Sequence, residues 1–146
     1  MQPITTIPVY HTYVHPSAGE SVNSVLETTM LSEGKKTKEF EEQLSQRLGI
    51  VNPVALNSGT SALHLAMVLA GIKEGDEVIC PAQTFVASAL VIVQQGAKPV
   101  FADIKYQTGN IDPVSVSEKI TERTKAILVV HWGGMPCDMD EIHAIA

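Results

Sequence analysis

The sequence predicts an α/β fold, a mostly parallel sheet with helices on both faces. Three observations lead there. Short apolar runs of strand length alternate with segments of helical periodicity. Glycines fall where the helical stripes stop, at Gly49 and Gly71. Small-residue and polar runs (Asn57–Ser61, Pro81–Phe85, His131–Gly134) follow the strand-like runs, and ligands of such sheets collect beyond the carboxyl ends of the strands.

Taken in order, Glu20–Met30 reads as an entry helix with Val22, Val25 and Leu26 on one face. After Gly34 a second helix carries Phe40, Leu44 and Leu48 as its stripe and Gly49 as its stop. Val54–Leu56 reads as a short strand, and Ser61–Ala70 as a helix apolar almost all round, hence buried, ended by Gly71. Glu77–Cys80 is a strand, Thr84–Gln95 a helix, Pro99–Ala102 a strand, Pro113–Ile120 a helix and Ala126–Val130 a strand. Asp138–Ile145 begins a last helix, with Asp138 and Asp140 suited to its N-terminal end. No repeat, low-complexity stretch or flexible linker divides the chain.

Composition narrows the function classes. The 146 residues are enough for one domain with its own core. At 45 % hydrophobic and 18 % charged residues the chain is globular rather than disordered. A net charge of −6 without a basic block argues against nucleic acid as a partner. Lys35, Lys36 and Lys38 cluster, but Glu39, Glu41 and Glu42 follow at once, which describes a solvated helix start. The first residues have no charged-then-apolar signal pattern. The longest apolar run, Phe85–Val93, is interrupted by Ser88 and is well short of the ~20 residues of a membrane span. No membrane partner is therefore expected, and the bacterial cytoplasm fits. Cys80 and Cys137 form no C-x-x-C pair and read as free thiols.

The run Asn57-Ser58-Gly59-Thr60-Ser61-Ala62-Leu63-His64-Leu65 is suited to a phosphate. Gly59 permits close backbone approach, Thr60 and Ser61 bring hydroxyls, and the first helical N–H groups with the helix dipole favour an anion. An ordinary N-cap by Ser58 or Thr60 explains the same residues. The lack of G-x-G-x-x-G argues against a dinucleotide site, and the lack of G-x-x-x-x-G-K-[ST] against a nucleoside triphosphate loop. His131, followed by Trp132 and two glycines, reads as a hydrogen-bonded structural histidine. His131, Cys137 and Asp138 lack the spacing of a zinc site, so no metal is expected. His64 is placed on the buried helix, satisfied by a backbone partner. Asp76 and Glu77 read as turn and strand-entry residues.

Further segments accompany that run in a fixed order. They are Gly34 to Glu42, Gly75 to Ser88, Gly96-Ala97-Lys98-Pro99-Val100-Phe101-Ala102-Asp103-Ile104, and Ile120 to Gly134 followed by Pro136-Cys137-Asp138-Met139-Asp140. The set resembles the N-terminal part of the DegT/DnrJ/EryC1/StrS family, the pyridoxal-phosphate-dependent sugar aminotransferases. The resemblance covers most of the chain from about Gly34, and more loosely from Ser21.

The resemblance implies part of the large domain of a fold-type I pyridoxal-phosphate enzyme. It implies an N-terminal arm and entry helix over 1–33, an incomplete cofactor-binding large domain over 34–146, and a small C-terminal domain that is absent. Ser58, Gly59, Thr60 and Ser61 would hold the cofactor phosphate, Thr60 and Ser61 foremost, and Phe85 would stack on the pyridine ring. A core phenylalanine is the alternative for Phe85, and a helix cap is the reading of Thr84. The aldimine-forming lysine and the acid that pairs with the pyridine nitrogen are expected beyond Ala146. None of Lys35, Lys36, Lys38, Lys73, Lys98, Lys105, Lys119 and Lys125 matches the family's catalytic lysine, so no catalytic residue is carried over. The parent would move an amino group, from glutamate, to a keto sugar linked to a nucleotide, in polysaccharide or deoxyaminosugar biosynthesis. It would act as a homodimer. A sugar dehydratase of the same family, and a truncated product retaining only the phosphate cradle, are the alternatives. Uncovered apolar faces and strand edges would make the isolated chain marginally soluble.

Overall fold

The computed structural model describes residues 11–32 and 34–146. The first ten residues, read above as carrying no signal pattern and as part of the arm, lie outside the described residues. The chain divides into two compact units, one running to Ala55 and the other from Leu56 to Ala146.

The first unit holds α1 (Ala18–Leu26) and α2 (Lys35–Leu48). The stripe of α2 ends as its glycine demands, with Gly49 in the left-handed region at φ 69° and its N–H bonded to the Ser45 carbonyl. Lys36 pairs with Glu39 at 2.7 Å on the solvent side. The expected strand at Val54–Leu56 does not form. Within this unit the Ala55 N–H donates instead to Glu41 Oε1 at 2.8 Å, so a side chain takes the donor that a ladder would have used.

The second unit holds α3 (Gly59–Leu69), β1 (Glu77–Pro81), α4 (Ala87–Gln94), β2 (Lys98–Ala102), α5 (Pro113–Glu118), β3 (Thr124–Ile127) and α6 (Met139–Ile145). The three strands are parallel in the order β2-β1-β3. Successive side chains of a strand face opposite sides, and β1 has apolar residues on both. Val78 and Cys80 join Met67, Val91, Ile92 and Leu128 in one cluster, while Ile79 joins Ala102, Ile111, Val116 and Ile142 in the other. Residues of α3 and α4 thus cover one face, and residues of α5 and α6 the other. Burying both faces explains why β1 is an apolar run rather than an alternating one.

β3 is shorter than the expected Ala126–Val130. The Leu128 N–H still donates to the Ile79 carbonyl at 2.8 Å. The next ladder bond would need an N–H at Pro81, which proline lacks, so pairing stops there. α4 starts at Ala87 rather than Thr84 because the residues between them form the turn that follows β1. α5 begins as its sequence dictates, with Asp112 accepting from the Val114 N–H at 3.1 Å and Pro113 in the first turn.

The burial expected for α3 is wrong. Only Met67 is buried, and Leu65, Val68 and Leu69 are exposed, Leu69 to 80 %. One stripe of this helix reaches the core, and its all-round apolar composition does not change that. His64 is exposed as well, so water can satisfy its ring.

Candidate cofactor-binding edge

Helix α3 opens on the candidate phosphate residues. Ser58 has extended backbone angles (φ −161°, ψ 157°) and caps the helix, its Oγ accepting from the Ser61 N–H at 3.1 Å. Ser61 Oγ donates to Asn57 Oδ1 at 2.7 Å, and the Ala62 N–H reaches the Ser58 carbonyl at 3.2 Å. Two of the first helical donors are thereby used. The N–H groups of Gly59 and Thr60 have no protein partner among the described residues. A Cβ at Gly59 would meet nothing within 4 Å, so the backbone here is open to close approach. The capping explanation and the anion explanation are compatible: the cap uses Ser58 and Ser61, and leaves Gly59, Thr60 and the Thr60 hydroxyl available.

Beyond the carboxyl end of β1, Phe85 is 74 % exposed. It is no core residue in this chain. Thr84 does not cap α4, whose N-cap is Val86; its hydroxyl pairs with Ser88 Oγ at 2.8 Å and fixes the turn that carries Phe85.

The segments after the three strands meet. A groove of about 410 Å3 is lined by Gln83 after β1, by Ile104, Tyr106, Thr108 and Gly109 after β2, and by Trp132 after β3. In the strand order β2-β1-β3 the chain leaves β1 to one side and returns to the other, and this is the topological switch at which open parallel sheets bind ligands. Trp132–Gly134 forms a 3-10 turn with Gly133 at φ 59°. His131 has the structural role expected of it, as Nδ1 accepts from the Cys137 N–H at 3.0 Å. That bond places the ring proton of the neutral form on Nε2.

The residue that sequence reasoning missed is Asn110, 2 % exposed. Its Nδ2 donates to the carbonyls of Met135 (3.0 Å) and Pro136 (2.8 Å), and its Oδ1 accepts from the Trp132 N–H at 2.9 Å. The only local cue is the turn-forming run Thr108-Gly109-Asn110, which does not reveal partners 22 to 26 residues away.

Titratable groups away from this edge are structural. Glu77 is buried at the amino end of β1 and accepts from Arg123 (2.8 Å), Thr121 Oγ1 (2.8 Å) and Lys98 (3.3 Å). The Arg123 guanidinium, then the Thr121 hydroxyl, hold its carboxyl down at about 2. Asp76 accepts from the Lys73 N–H in the preceding turn. Both residues thus serve as the turn and strand-entry groups expected. Cys80 and Cys137 are free and buried. Burial pushes the Cys80 thiol up to about 11, far from a reactive thiolate.

Comparison with known proteins gives a consistent picture. Residues 14–146 match the model of the DegT/DnrJ/EryC1/StrS aminotransferase family. The chain is 47 % identical over 127 residues to the spore coat polysaccharide biosynthesis protein SpsC of Bacillus subtilis, covering 87 % of this chain and 33 % of that protein. It is 39 % identical over 141 residues to the GDP-perosamine synthase of Escherichia coli O157:H7, covering 96 % of this chain and 39 % of that enzyme. Among solved structures, NtdA from Bacillus subtilis with bound cofactor PMP superposes with a TM-score of 0.82 at 38 % identity, over 87 % of this chain and 29 % of NtdA. The chain therefore spans about a third of the length of the curated relatives it matches.

Proposed function

The chain belongs to the DegT/DnrJ/EryC1/StrS aminotransferase family, and from that premise we propose that it forms the cofactor-holding part of an enzyme that aminates a keto sugar carried on a nucleotide. Pyridoxal phosphate is the cofactor and glutamate the amino donor in this reading. The observation that carries it is the start of α3, where two unpartnered N–H groups, an open glycine and a free hydroxyl stand together at the positive end of a helix. These residues fit a phosphate monoester.

Pyridoxal phosphate, when bound, supplies an electron sink for the carbon from which a proton is removed. The residues of this chain hold and orient it. Gly59 and Thr60 would donate to the phosphate, with Ser58 and Ser61 keeping the loop in shape by their mutual hydrogen bonds. Phe85, whose ring is exposed, would stack on the pyridine and keep water from that side. No lysine of this chain is assigned to proton transfer, and a homodimer acting in the cytoplasm belongs to the same reading.

The test is an amination assay on the protein that carries this chain, with L-glutamate and a nucleotide-linked keto hexose, followed by mass spectrometry. Replacement of the carbonyl oxygen by an amine is the expected product. Loss of a sugar hydroxyl without nitrogen gain would assign the protein to dehydration instead.

A further inference from the structure

Gly109 and Asn110 lie in the loop between β2 and α5, in neither the phosphate cradle nor the Phe85 turn. We propose that they are positioning residues, which set the segment Trp132–Pro136 at the carboxyl edge of the sheet and through it the seat of the cofactor. The proposal rests on the pyridoxal-phosphate reading for its second half only. The loop is closed on itself by an antiparallel bridge between Ile104 and Ile111 and by the Lys105 carbonyl, which accepts from the Thr108 and Gly109 N–H groups. From this base Asn110 makes three hydrogen bonds to the backbone of Trp132, Met135 and Pro136.

That set matches the capacity of a buried primary amide: two donors to two carbonyls and the oxygen to one N–H. Few side chains could replace it. Aspartate would turn an oxygen toward two carbonyls, and alanine would leave all three backbone groups without the partner they have now. Gly109 adds a steric constraint. It sits at φ +72°, and a Cβ there would lie 2.7 Å from Trp132 Cδ1 and 3.3 Å from Gln83 Nε2. The indole packs where a side chain would be, so the missing Cβ decides how close Trp132 comes to the turn after β1. Gln83 belongs to the same turn as Phe85, which links the loop to the ring that stacks on the cofactor. A second anchor holds the far end of the segment, where Lys105 Nζ meets Asp138 Oδ2 at 2.8 Å.

Trp132 is the only tryptophan of the chain, so with any tryptophan outside it replaced by phenylalanine the fluorescence reports the environment of this ring. The experiment compares the protein that carries this chain with its variants Asn110→Ala, Gly109→Ala and, as a control for lost stability, Val116→Ala, which removes buried side-chain volume from the core. Two quantities are read: acrylamide quenching of Trp132 without ligand, and the affinity for pyridoxamine phosphate by fluorescence titration. Asn110→Ala and Gly109→Ala are expected to change the quenching constant at least twofold and to weaken binding about tenfold. Val116→Ala is expected to leave both unchanged while lowering the unfolding midpoint. Should Asn110→Ala fail to fold, Gly109→Ala reads the same contact. Unchanged quenching in folded Gly109→Ala or Asn110→Ala would overturn the proposal. So would a loss of affinity no greater than that of Val116→Ala. If the unsubstituted protein binds no pyridoxamine phosphate, the cofactor reading fails, and the quenching comparison still decides whether Gly109 and Asn110 set Trp132.

Discussion

At the amino end of β1, Glu77 is 2 % exposed and its carboxylate accepts from Arg123, Thr121 and Lys98. At the other end, four residues past the strand, Phe85 stands 74 % exposed. A groove beyond the strand ends is lined by Gln83, Thr108, Gly109 and Trp132, among others. One end of the strand places its polar group in a closed set of partners. The other leaves an aromatic ring open and brings small and polar residues from separate segments together. The difference teaches where to look for chemistry. A buried, charged and fully paired carboxylate is a structural joint, however strongly its titration is shifted, whereas binding needs groups whose partners are still to come.

The comparison can be broken first at the strand between the two ends. Ile79 is fully buried in the cluster shared with α5 and α6, so Ile79→Ala is expected to destabilise the fold by about 2–5 kcal/mol, read by chemical denaturation. It should abolish binding only by unfolding the chain. Acid tests the amino end. The Glu77 carboxyl is held at about 2 against an ordinary 4.5, so the folded state binds the proton later than the unfolded state does. The stabilisation is whole above about pH 5 and is lost as pH falls toward 2. The melting temperature should drop through that window, and Glu77→Gln should flatten the slope while affinity for pyridoxamine phosphate at neutral pH stays the same. At the carboxyl end the signs reverse. Phe85→Ala should change stability by no more than about 0.5 kcal/mol, as an exposed side chain does, while weakening cofactor binding roughly tenfold. A variant that moved stability and affinity together at both ends would erase the distinction.

Much of this was legible locally. Gly49 and Gly71 mark helix ends because only a residue without a Cβ enters the left-handed region freely, and both sit there, at φ 69° and 71°. Asp112-Pro113 announces α5 by capping chemistry. Ser58-Gly59-Thr60-Ser61 announces the start of α3. What failed depended on partners distant in sequence. Val54–Leu56 has strand composition but no ladder, because strand formation requires a neighbour and Glu41 has taken the Ala55 N–H. α3 is apolar all round, and composition cannot say how many of its faces meet another element. Asn110 drew no reading from the sequence, because its three partners are 22 to 26 residues further along. Asn57–Ser61, Pro81–Phe85 and His131–Gly134 were placed on one edge by the alternation of strands and helices alone, and the strand expected before the first of them does not form. That Asn110 and Gly109 hold the segment after β3 against the one after β1 needed the structure.

The central claim is that the start of α3 holds a phosphate. Equilibrium dialysis of the protein that carries this chain tests it, against pyridoxamine phosphate and against pyridoxamine, which differ only in that group. The account predicts that the phosphate ester binds at least about tenfold tighter, and that this preference falls sharply in Gly59→Glu, whose carboxylate would enter the open approach. Equal affinities for the two compounds, or a preference that survives Gly59→Glu, would contradict it.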